Sequence, residues 1–63
     1  MTQKELLYFE DAIGHEDNII KIINNTIQNL TDEKLISFMN NELNNHTNLK
    51  NNLMNMLGEK ANG

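Results

Sequence analysis

Apolar residues recur at alternating intervals of three and four along nearly the whole chain, and that spacing leaves few folds open. Leu6, Phe9, Ile13, Glu16, Ile20, Ile23, Ile27 and Leu30 form one stripe; Leu35, Met39, Glu42, His46, Leu49, Leu53 and Met56 form a second. Intervals of three and four place every member on one face of an α-helix. Proline is absent and internal glycine stands only at Gly14 and Gly58, so little in either stripe ends a helix. Three members are polar: Glu16, Glu42 and His46. On a buried face such groups must be paired, protonated or bound to something.

The punctuation between the stripes sets the boundaries. Thr2 followed by Glu5 is a capping-box pattern and predicts a first helix over about 3–29. Thr31 reads as the N-cap of a second helix over about 32–57, with Asp32 and Glu33 in its first turn and Leu30 and Leu35 placed as a hydrophobic staple. Gly58 reads as a C-cap residue, followed by a frayed tail over 58–63. A turn at about 30–31 forces the two helices to run antiparallel. The expected fold is all-α, a single domain built as an antiparallel helical hairpin.

The apolar surface is wider than a hairpin seam needs. Ala12 and Ile19 widen the first stripe, and Ile36, Phe38, Leu43 and Leu57 widen the second. A wider face suits a four-helix bundle. A two-fold homodimer of hairpins is the economical way to build one, and another protein partner is the alternative.

Composition removes several function classes. The chain has no cysteine, hence no disulfide, thiolate metal site or cysteine nucleophile. Five scattered lysines, no arginine and a net charge of −4 argue against a nucleic-acid partner. No apolar run approaches the ~18–20 residues of a membrane span. The N-terminus lacks the pattern of a signal peptide, so the expected location is cytoplasmic. Glycine-rich phosphate loops and nucleophile elbows are absent. A slender hairpin also offers no substrate cleft, which weighs against an enzyme.

The polar members of the stripes are the candidate site. If the hairpin turns between Leu30 and Thr31, Glu16 faces Asn45, beside His46 and near Glu42. A dimer would then gather four carboxylates and two imidazoles from Glu16, Glu42 and His46, the inventory of di-iron or di-manganese carboxylate bundles. The competing reading is a polar layer, closed by a Glu–His pair, that fixes register and oligomer state. Glu10, Asp11 and His15 read as solvated helix-face residues that could extend a metal site. Met39, Met54 and Met56 read as core filler.

Leu7 through Glu16 and Leu35 through His46 resemble the short helical-hairpin proteins of the spore-coat F type, grouped with the ferritin-like, rubrerythrin-related bundles. The resemblance implies a ferritin-like bundle, a sporulating bacterium and a structural role in a spore coat. The alternative reading, from the ligand inventory of the seam, is a metal site at Glu16, Glu42 and His46 holding iron, manganese or zinc, with dioxygen or peroxide as substrate. One departure stands against two bridged ions. The family spacing is Glu-x-x-His, whereas Glu42 and His46 are four apart, which rotates the imidazole by about 100°. A single ion such as zinc is easier to hold there. A third class, a regulatory hairpin resembling the short sporulation phosphatases, lacks their Ser-Gln-x-x-Asp segment.

Overall fold

A computed structural model describes the backbone of residues 1–62 and the side chains through residue 60. The chain is an antiparallel pair of helices, α1 (Gln3–Gln28) and α2 (Glu33–Asn62), packed along their length in a rod of 46 × 15 × 10 Å.

The start of α1 follows the sequence pattern. Thr2 Oγ1 accepts from the Glu5 amide at 3.1 Å, and the Thr2 amide donates to Glu5 Oε1 at 2.8 Å. Two of the four amides left open at a helix start are thereby satisfied. That amide donor, followed by the Thr2 hydroxyl, holds the Glu5 carboxyl below its ordinary value. The other end of α1 closes on Asn29, whose amide reaches the Thr26 and Ile27 carbonyls. Its side chain donates to Asn25 O at 2.8 Å.

The turn and the start of α2 differ from expectation by one residue. Asp32, not Thr31, caps α2: its Oδ1 accepts from the Leu35 amide and its carbonyl from the Ile36 amide, both at 3.0 Å. The connection is therefore the four residues 29–32, and Leu35, 51% exposed, makes no staple with Leu30. The apolar seam of α2 slips by the same one residue. Its inward positions are Ile36, Met39, Leu43, His46, Lys50, Leu53 and Leu57, all half-buried. Leu35, Leu49 and Met56, expected inside, are exposed. One residue is 100° of helix, so a displaced start turns a different face inward. The expected seam of α1 holds: Leu6, Phe9, Ile13, Ile20, Ile27 and Leu30 are half-buried, and Glu16 and Ile23 are buried.

Gly58 does not cap α2. The helix runs through it to Asn62, and no residue takes a positive φ among those described. The expected tail at 58–63 is thus helical as far as Asn62, and Gly63 lies outside the described residues. A lone glycine costs a helix only about 1 kcal/mol. Here Glu59, Lys60 and Ala61, all good helix formers, follow it and carry the helix on. Gly14 is likewise helical. A Cβ built on either glycine meets nothing within 4 Å, so neither serves a close approach of backbones.

Candidate functional site: a polar layer in the seam

Halfway along the rod the apolar seam is broken by the three residues singled out from the sequence. Glu16 comes from α1, and Glu42 and His46 from successive turns of α2. His46 is the hub: its Nδ1 lies 2.6 Å from Glu16 Oε2, and its Nε2 lies 3.7 Å from Glu42 Oε2. Nδ1 thus pairs with the carboxylate of α1, and Nε2 faces Glu42 one turn earlier on α2. Glu16 is 8% exposed, the most enclosed polar residue of the described chain. No buried side-chain polar atom among the described residues lacks a partner. The Glu42 side chain is 38% exposed and sits at the edge of the layer.

A second cross-helix ion pair closes the other edge. Lys50 Nζ lies 2.5 Å from Asp17 Oδ1. Lys50 occupies an inward heptad position, its stem along the seam and its ammonium at the rim. Sequence reasoning passed over this pair. The legible signal was a lysine at a seam interval of α2 with an aspartate on α1 near the same level.

The arrangement does not make a metal centre within one hairpin. The imidazole stands between the carboxylates, so the three donors face one another instead of converging on a shared point. An ion would have to break the Glu16 bond at Nδ1 or accept Nε2 and Glu42 alone. Among the described residues no group of three or more His, Asp or Glu has the geometry to hold a metal ion. Within one hairpin the three donors do not converge on a resident ion. Glu10, Asp11 and His15 are exposed and add no donor to the layer.

No family model, curated protein or solved structure matches the chain. No helix among the described residues is long and apolar enough to cross a membrane.

The most extensive exposed apolar surface is a second stripe, partly missed in the sequence because it interleaves with the seam. On α1, positions 8, 12, 15, 19, 22 and 26 share a face beside the seam. On α2, positions 35, 38, 42, 45, 49, 52 and 56 do the same. In an antiparallel pair with the observed inward residues, both faces lie on the same side of the rod. Tyr8, Ile22 and Phe38 are each 60% exposed there, with Leu35, Leu49 and Met56 beside them. Met56, expected as core filler, belongs to this surface. Met54, also exposed, borders a shallow concavity of about 430 Å3 on the opposite side, with Glu10, Ile13, Leu57 and Gly58. Glu10 is its one ionisable group, which suits no acid–base or nucleophilic chemistry.

Proposed function

We propose that the chain is an assembly module: a helical hairpin that completes its core by docking its second apolar face on another helical surface. A four-helix bundle is the smallest assembly that covers such a face, and a homodimer of hairpins is its simplest form. The observation that carries this reading is the mismatch between the seam and the outer face. Ile23 is the one buried apolar residue among those described, while six large apolar side chains stand exposed along one side. Chains below about 70–80 residues rarely gain more than ~3–5 kcal/mol from one core. Exposed apolar clusters of this kind, with aromatic and methionine side chains, are characteristic of interfaces. A structural role of the spore-coat type is the specific form of the reading suggested by the residues that resemble that family.

The test is circular dichroism over a wide range of protein concentration, with mass followed in parallel. Helix content and melting temperature should fall together on dilution. The substitutions Ile22→Lys, Phe38→Lys and Leu49→Lys, made together, should bring on that loss at high concentration. A fully helical monomer, melting at the same temperature at micromolar and millimolar concentration and unchanged in the triple variant, refutes the proposal.

A further inference from the structure

We infer that the occupant of the outer face is a second copy of this chain, docked so that the two polar layers coincide at the two-fold axis. This rests on the reading of that face as a docking surface and adds the identity and register of the partner.

The first argument is the layout of the face. A contact between identical surfaces must be self-complementary. Here a polar band of His15, Glu42 and Asn45 lies beside the Glu16–His46 bond, with one apolar cluster on each side along the rod. Ile19, Ile22, Leu35 and Phe38 lie toward the turn, and Tyr8, Ala12, Leu49 and Met56 toward the open end. A two-fold axis at the level of the band lays apolar on apolar and band on band. It does so whether the two turns end up at the same end of the bundle or at opposite ends. Displaced pairing would put Glu42 against Ile19 or Leu49 clusters, a buried carboxylate without a partner.

Charge supplies the second argument. The chain carries a net −4, yet along the body of this face Glu42 is the only carboxylate. Helical phase places Glu10, Asp11, Asp17 and Glu33 off it, and Glu5 and Glu59 on it only at the open end of the rod. With the two turns at opposite ends of the bundle, these end carboxylates stay away from their own copies, and like charges do not oppose self-docking. The face equally lacks the charge pattern that would select a foreign basic or acidic partner. Asn45 and Asn52, neutral and able to donate and accept, suit a contact with their own copies.

Size is the third. A side of 46 × 15 Å has a plan area of roughly 700 Å2, close to the ~800 Å2 that each partner contributes to a standard interface. Once covered, Glu42 has His46 Nε2 at 3.7 Å on its own helix and donors from the band of the second copy. The half-exposed carboxylate thus becomes the element that fixes the register between copies.

Sedimentation equilibrium on the wild type and on Phe38→Glu gives the stoichiometry. Because the chain is free of cysteine, the single variants Asn45→Cys and Asn18→Cys report the register by their rates of maleimide labelling. Asn18 sits at the level of the band on the outer side of α1. The expected result is a wild type of twice the 7.3 kDa chain mass and a monomeric Phe38→Glu. The thiol of Asn45→Cys should label about tenfold or more slowly than that of Asn18→Cys well above the dissociation constant, tracking the free fraction. In the Phe38→Glu background the two thiols should label equally fast. A dimer in which both thiols label alike overturns the register and the face. A monomeric wild type of low helix content overturns the second copy but leaves docking on a different protein. A monomeric wild type of full helix content overturns both.

Discussion

Replacing Gly14 and Gly58 by alanine separates the two sides of the rod with little disturbance. Both glycines are exposed, helical and without positive φ, and a Cβ at either meets nothing within 4 Å. The change adds no contact and removes none; it acts through the entropy of the unfolded chain and the helix preference of alanine. In an exposed helix interior that difference is about 1 kcal/mol per site. The two positions lie on different helices and a Cβ at neither meets a neighbour, so the effects should add to ~2 kcal/mol per chain. For a domain this small each kcal/mol is worth roughly 4–8 °C, giving a combined rise of about 8–16 °C. Thermal melting followed at 222 nm, at one fixed protein concentration, measures it in the single and double variants. Helical phase places both positions away from the outer apolar face, so the mass of any assembly should not change. A neutral or destabilising result at either site would mean that something packs there. The side taken as solvent-facing would then be covered, and the assignment of the docking face would fail.

Three further outcomes follow from the polar groups. Glu16→Ala strands His46 in the seam and should cost about 1.5–3 kcal/mol in urea unfolding. Glu16→Leu combined with His46→Leu should be neutral or stabilising, and a double variant as unstable as the single would show that the layer is more than a satisfied pair. Asp32→Ala should cost about 1 kcal/mol and Thr31→Ala much less; equal costs would move the cap back to Thr31. Because its carboxyl is held below the ordinary range by the Thr2 amide, Glu5 contributes its full share of α1 capping above the ordinary carboxylate pKa. That contribution is lost as pH falls through the lowered value. Protection of the first-turn amides of α1 against hydrogen exchange, followed by NMR from neutral pH downward, should show this loss. In Glu5→Gln the acid-dependent step should be missing, and an identical pH profile in the variant would remove Glu5 as its origin.

The hairpin, the capping box at Thr2 and Glu5, the α1 seam and the meeting of Glu16 with His46 were all legible in the sequence. Each is set by short-range chemistry or by a period that survives small boundary errors. The phase of α2 was not legible. Its apolar residues fall in two adjacent stripes that alternate as inward candidates: Ile36, Leu43 and Leu57 in one, Leu35, Leu49 and Met56 in the other. Met39, His46 and Leu53 fit either reading. What decides between them is whether Thr31 or Asp32 caps the helix, two residues of similar capping preference standing side by side. The same slip hid Lys50, whose inward position became visible only with Asp17 across from it. Gly58 misled because a glycine stops a helix through a left-handed conformation, which this backbone does not adopt.

The four-residue connection at 29–32 also governs the order in which the molecule forms. Contacts next to the turn join residues only a few positions apart, so closure begins there and proceeds outward, as in other chains of low contact order, on a microsecond-to-millisecond scale. The ends that meet last are the start of α1, at Thr2 and Glu5, and the final turns of α2. In the proposed dimer, covering the outer face is instead a bimolecular event whose rate scales with concentration. Newly made chains at low abundance would therefore remain incompletely helical, and the pace of assembly would be set by how many copies a compartment holds.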